Sequence, residues 1–135
     1  IKRRYVEDLE AEVNSDEIIK FTVYIEGGAA ESIYRQLPEM PGNLSAVLAG
    51  PEWIDIVNKD ANKGAAVKKI ADLKGIKQDE ILAFGDYLND LTMLEAAGTS
   101  YAMVNGHPDL KKIADHIAPS NNDEGVMQIL RKLFD

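Results

Sequence analysis

The 135 residues contain no cysteine. Disulfides and thiolate metal sites or nucleophiles are therefore excluded, which agrees with a reducing compartment and leaves oxygen ligands for any metal. No apolar run approaches the roughly 20 residues of a spanning helix, and no charged-then-apolar leader precedes a cleavage site. The expectation is a cytoplasmic chain with no membrane partner. An excess of positive charge is also missing, since 15 Lys and Arg face 23 Asp and Glu for a formal net charge of −8. Nucleic acid is disfavoured as a partner because its phosphates demand a basic face. Any phosphate ligand must be caught by local donors, and small substrates fit better than polymers. Repeats and low-complexity tracts are absent too.

What is present suffices for a core: 45% of the residues are apolar, enough for one domain or a small one plus part of another. The acid excess is uneven. Residues 1–57 carry 5 basic and 11 acidic side chains (net −6), and residues 58–135 carry 10 and 12 (net −2). Tyr5 or Val6, Leu9 and Val13 recur at helical spacing in residues 2–13, so a short amphipathic helix is expected there. Residues 18–25 and the segments LSAVLAG and EWIDIV read as strands, the last two joined at Gly50-Pro51, with a helix over AAESIYRQL. Two strands without a crossover helix between them imply an antiparallel layer. After a boundary near Val57 to Asn62 the rhythm changes to helix 63–74, strand 80–84, helix 89–97 and strand 100–104, which predicts a parallel sheet. Pro108 suits the first position of the next helix and Ile117-Ala118 a short strand. Val126, Ile129, Leu130, Leu133 and Phe134 stripe the last helix.

The most informative stretch is GDYLNDLTML, Gly85 to Leu94, where the apolar strand EILAF turns into a helix. Ligands of open α/β sheets sit outside the carboxyl ends of the strands, and Asp86, Asn89 and Asp90 fall there. Positions i, i+3 and i+4 at a helix start are neighbours, so the side chains can meet a hard cation while helix N–H groups face an anion. A capped, solvated turn has the same composition. Lys63 opens the helix in NKGAAVKKI, where its charge adds to the positive helix end and implies a nearby anion. Lys68, Lys69 and Lys74 read as ordinary surface lysines.

The order Lys63-Gly64, GDYLND, AGTSYAMVNG, APSNNDEGV resembles the C-terminal portion of a haloacid dehalogenase superfamily phosphatase of the Cof-type, type IIB capped, branch. The resemblance covers nearly the whole chain. It implies an α/β fold: a partial Rossmann-like parallel sheet, the C-terminal half of the hydrolase core, in residues 58–135, preceded by the rear of an α/β cap in residues 1–57. It further implies a Mg²⁺-dependent phosphatase acting on small phosphate monoesters through an aspartyl-phosphate. On that resemblance Asp86 ligates Mg²⁺, Lys63 stabilises the transferring phosphoryl group and is catalytic with Asp90, and Asn89 and Asp90 together hold phosphate, metal-bound water and the lysine in place. Asn121 matches a loop residue near the metal and is the weaker candidate. The family's opening DxD strand, whose first Asp is the nucleophile, and its Thr or Ser strand are not in these residues. The only aspartates before Lys63 are Asp8, Asp16, Asp55 and Asp60, none in a DxD string. Residue 1 is Ile rather than Met, so the chain is expected to be a fragment, inactive alone, that self-associates or pairs with a missing N-terminal segment.

Two rival functions stay open on sequence: a phosphorylation-domain piece of a P-type pump, which shares a similar GDxxND element, and a non-catalytic assembly module. His107 and His116, each without a second ligand beside it, are expected to be structural or exposed. Trp53, Tyr24 and the four methionines fall on apolar faces and are expected in the core. Asn122 and Asp123 have the composition of helix caps. Tyr87, inside the motif, either touches substrate or shields the site.

Overall fold

Asp8 opens the first helix: its carboxylate accepts the Ala11 N–H at 3.0 Å, and α1 runs Leu9–Ser15. A side-chain oxygen that takes an orphan N–H fixes a helix start. The helix expected over 2–13 is therefore shifted; its residues 2 and 3 lie outside the described residues, which are 4–15 and 17–134 of this computed structural model. Tyr5 and Leu9 of its apolar stripe are exposed.

The next elements are β1 (Lys20–Tyr24), α2 (Ala30–Tyr34), β2 (Leu44–Gly50) and β3 (Trp53–Asn58). They form the expected antiparallel layer in the order β1-β3-β2. Thr22 and Val47 both stand opposite Asp55, and Lys20 opposite Val57. Strand alternation thus divides the sheet. Leu48 and Ile54 point to the face where Ala30 of α2 packs, while Lys20, Thr22, Val47 and Asp55 share the other.

Tyr24 and Trp53 are not core residues as expected, being 52% and 43% exposed. They are register partners at the sheet's end, on the face that α2 leaves bare, and their rings meet at a tilt of 53° with centroids 4.7 Å apart. Among the methionines only Met103 is buried; Met127 is exposed, and Met40 and Met93 are partly covered.

A parallel sheet follows in the order β4 (Leu82–Gly85), β5 (Thr99–Met103), β6 (His116–Ala118). Its helices are α3 (Lys63–Lys74), α4 (Leu91–Ala96), α5 (Pro108–Ile113) and α6 (Gly125–Phe134). Asn62 caps α3 by accepting the Ala65 N–H at 2.8 Å, and Gly75 ends it at φ 66°. Ala83, Leu94, Ala97, Ala102 and Leu110 form one buried cluster, and Met103, Ala118 and Ile129 another. Of the stripe on α6, Val126 and Ile129 reach this core, but Leu133 and Phe134 remain exposed at its end.

Four expected elements are shorter: the strand expected over 18–25 is Lys20–Tyr24 and the helix expected over 29–37 is Ala30–Tyr34, and the other two lose their starts. Residues 78–80 form a 3-10 turn, held by the Glu80 carboxylate on the Lys77 N–H at 2.8 Å, so the strand expected from 80 begins at Leu82. The helix expected over 89–97 starts with a 3-10 turn, Leu88–Asp90, and becomes α-helical only at Leu91. Tyr87 and Leu88 at that turn pack against the Ala30, Leu48 and Ile54 cluster, joining the two layers. Among the described residues β4 pairs with β5 alone, and no helix is long and apolar enough to cross a membrane.

Candidate active site

The site is assembled by close backbone approach. Gly64, the second residue of α3, donates its N–H to Thr92 Oγ1 at 3.1 Å, and a Cβ there would lie 2.2 Å from the Thr92 carbonyl oxygen. Only hydrogen fits. The start of α3 is thereby pressed against the start of α4, and Lys63 Nζ forms an ion pair with Asp90 Oδ1. The anion that a lysine at a helix start implied is, within this chain, Asp90.

Gly85 serves the same loop: a Cβ on it would meet the Asp90 Cβ at 2.7 Å. With that space open, Asp90 folds back so that its Oδ2 accepts the Asp86 N–H at 3.0 Å and the Tyr87 N–H at 3.5 Å. Asp90 is 5% exposed, and both of its oxygens are occupied. The spacing left both carboxylates free to meet one cation, but at the 3-10 turn Asp90 turns inward to Lys63, while Asp86 lies on the surface. Asn89 lines a cavity of about 430 Å³ together with Lys63.

A third loop braces the position of Asp86. The His107 N–H donates to the Asp86 carbonyl at 2.8 Å, and a Cβ on Gly106 would lie 2.8 Å from that oxygen. Asn105 Nδ2 donates to Asn121 Oδ1 at 2.8 Å, so Asn121 supports this loop through Asn105. His107 caps α5 through Nδ1, which accepts the Asp109 N–H at 3.2 Å, and His116 is exposed beside the Tyr101 ring. Both histidines are structural or exposed, as expected. The capping oxygen at the 3-10 turn Asn121–Asp123 belongs to Ser120, not to Asn122 or Asp123.

Tyr87 meets the edge of the His107 ring at a centroid distance of 5.2 Å, and burial, with the Glu31 carboxylate nearby, raises its phenol above the ordinary value. Glu31 itself is held below the usual carboxylate range, first by its hydrogen bond from Arg35 and further by the Arg35 charge. Thr92 is the positioning residue that sequence reasoning passed over, whereas Gly106 closed a recognised motif and His107 was expected to be structural or exposed. For Thr92 the only signal was its place two residues after Asp90.

Among the described residues no three of His, Cys, Asp and Glu gather into a metal cage. The donors nevertheless suit part of a magnesium shell. Mg²⁺ keeps several waters and is commonly bound by one or two carboxylates plus substrate phosphate. Asp86 provides one exposed carboxylate at the carboxyl end of β4, beside the Lys63–Asp90 pair.

The fold and this loop geometry define a class. The haloacid dehalogenase-like hydrolase model matches residues 1–130, and the chain belongs to that family. Among individual relatives, the Bacillus subtilis protein YxeH is 34% identical over 126 residues, covering 90% of this chain and 46% of its own length. The B. subtilis 5-amino-6-(5-phospho-D-ribitylamino)uracil phosphatase YitU is 41% identical over 81 residues, 60% of this chain and 30% of its own. A haloacid dehalogenase-like hydrolase from B. subtilis superposes with a TM-score of 0.82 at 29% identity, covering 97% of this chain and 47% of that one. The subclass IIB sugar phosphatase BT4131 gives 0.77 at 27% identity over 91% and 46%. The chain is similar to the C-terminal portion of such Cof-type proteins, and it spans about half the length of curated relatives such as YxeH.

Proposed function

We propose that this chain provides the C-terminal part of a Mg²⁺-dependent phosphatase that hydrolyses small phosphate monoesters, such as sugar phosphates, through an aspartyl-phosphate. The observation that carries the reading is the Lys63–Asp90 ion pair, which joins two motifs 27 residues apart at the carboxyl end of β4. Relatives named as phosphatases, YitU and the sugar phosphatase BT4131 among them, support it. In this proposal residues 1–57 are the rear of a cap, residues 58–135 the rear half of the hydrolase core, and the protein works in the cytoplasm.

Lys63 would bind the phosphoryl oxygens and stabilise the charge that redistributes over them during transfer. Asp90 fixes the ammonium through one oxygen and anchors the loop backbone through the other. Asn89 would bind and orient the phosphate from the cavity wall. Asp86 would hold Mg²⁺, which supplies charge neutralisation at the phosphate when bound. Asn121 acts at one remove, through Asn105 and the loop beside Asp86.

Because these 135 residues contain no DxD strand, the chain alone is expected not to turn over p-nitrophenyl phosphate. In a polypeptide joining this chain to such a strand, Asp86→Ala should abolish Mg²⁺-dependent turnover. Lys63→Ala should lower kcat far more than it raises KM, by about 2.7 to 4 kcal/mol in the transition state. A kcat within a few-fold of the unsubstituted protein would return Lys63 to the surface.

The partner proposed besides a small phosphorylated metabolite is a strand on the edge of β4. Apolar grooves flank that edge on both faces, one lined by Val67, Ile70 and Ile76, the other by Tyr101, Leu133 and Phe134. Bare edges recruit partners. A monodisperse monomer in light scattering, with residues 82–85 protected from hydrogen exchange, would refute it.

A further inference from the structure

The cavity that holds Lys63 and Asn89 has a second polar wall, contributed by the antiparallel layer. Lys20 Nζ donates to Asp55 Oδ2 at 3.0 Å, and Thr22 Oγ1 donates to Asp55 Oδ1 at 2.7 Å. Strand alternation places all three on the sheet face that α2 leaves uncovered. Lys20 and Asp55 line the same cavity as Lys63 and Asn89, with Val47, Leu88 and Leu91 among the apolar surfaces between. Its volume, about 430 Å³, lies in the range of small-molecule sites.

We infer that Lys20 and Asp55 form a subsite for the leaving-group end of the substrate, and that this end is an uncharged polyol carrying neighbouring hydroxyls. The inference rests on the reading of Lys63 as the phosphate anchor. A carboxylate beside an ammonium offers an acceptor and a donor a few ångströms apart, and neighbouring hydroxyls, which both donate and accept, satisfy the two together. A second phosphate is refused at this wall because Asp55 neutralises Lys20 and repels a further anion. The apolar surfaces accommodate the C–H faces of the carbon chain. Thr22 holds Asp55 in place and acts as a positioning residue.

The test is NMR titration of the 135-residue chain with ribitol 5-phosphate, inorganic phosphate and fructose 1,6-bisphosphate, with Mg²⁺ present. Ribitol 5-phosphate should shift the amides of residues 20, 22 and 55 and those of 63 and 89; inorganic phosphate should shift only the second set. Asp55→Ala should weaken ribitol 5-phosphate about tenfold, the loss of one hydrogen bond to a charged group, and leave inorganic phosphate unchanged. Lys20→Met, at a half-exposed side chain, gives the same test without touching the partly buried carboxylate. Unchanged affinity in both variants, absence of shifts at residues 20, 22 and 55, or tighter binding of the bisphosphate at this wall overturns the subsite. Shifts there that survive Lys63→Ala keep the subsite and overturn the anchor instead.

Discussion

Apart from Gly75 at the end of α3 and Gly50 in β2, the two layers use glycine in opposite ways, and the difference separates the part that is tightly fitted from the part that adapts. In the antiparallel layer Gly27, Gly28 and Gly42 take positive φ in turns, with open space where a side chain would stand. In the parallel layer Gly64, Gly85, Gly98, Gly106 and Gly125 all sit against another backbone or side chain at under 3.0 Å from an added Cβ. Three of these, Gly64, Gly85 and Gly106, fix the lysine, the orienting aspartate and the Asp86 loop. Burial follows the same division. Ala30, Leu48 and Ile54 are the only buried apolar residues of the first layer among the described residues, against ten in the second. A loosely covered sheet suits a wall that selects among ligands, and a close-packed one suits groups that must not move.

The sharpest way to break this comparison is to add one methyl group to each layer. Gly64→Ala forces a Cβ into the Thr92 carbonyl, a backbone atom that no rotamer change can remove, and should cost about 3 kcal/mol as an overpacking substitution. Gly42→Ala, at φ 60° in open space, should cost only the conformational penalty of about 1 kcal/mol. Urea unfolding of both variants measures the gap. Equal losses would show that α3 does not depend on the close approach to Thr92.

A smaller loss should follow from Asp90→Ala. Removing a buried carboxylate leaves the Asp86 N–H without its acceptor and Lys63 without its partner, at about 2 kcal/mol for hydrogen bonds of charged groups. Asp55→Ala removes the corresponding hub of the other layer, but Lys20 is half exposed and water replaces its contact, so less than 1 kcal/mol is expected. If the two substitutions destabilise equally, the wall around Asp55 is as fixed as the Asp90 loop and the contrast between layers fails.

Element types and the position of GDYLND at a strand's carboxyl end were legible in the sequence, because periodicity and turn residues act locally. So was the link from Lys63 to an anion, since a lysine at a helix start is anomalous unless compensated. The resemblance also implied different roles for Asp86 and Asp90, but the geometry that separates them was not legible. It depends on a 3-10 turn stabilised by a carboxylate folding back on its own loop, and on Gly85 making room for that fold. Tyr24 and Trp53 misled for a related reason: alternation shows that a strand has two faces without showing which one a helix will cover. The polar wall at Lys20 and Asp55, residues 35 apart, exists only through strand pairing.

The smallest expected effect sharpens the account of the close-packed layer through pH. Asp115 Oδ2 accepts the Ser100 hydroxyl at 2.7 Å and the Ser100 N–H at 2.9 Å, and Ser100 Oγ takes the Asp115 N–H at 3.1 Å, stapling β5 to the residue before β6. The hydrogen bond from the Ser100 hydroxyl, then that from its backbone N–H, pulls the Asp115 carboxyl below its ordinary value of 3.8. A carboxylate whose folded value is depressed contributes stability that is fully present above the unfolded value and disappears as pH falls through the folded one. The contribution should therefore be intact at pH 6 and vanish in acid below 3.8. Asp115→Asn should lower the melting temperature slightly at pH 6, and the difference from the unsubstituted chain should narrow as the pH is taken below 3.8. Thermal unfolding followed by circular dichroism across that interval decides it. A difference that stays constant with pH would mean that Asp115 acts through shape rather than through its charge, and that Ser100 is satisfied equally well by the amide.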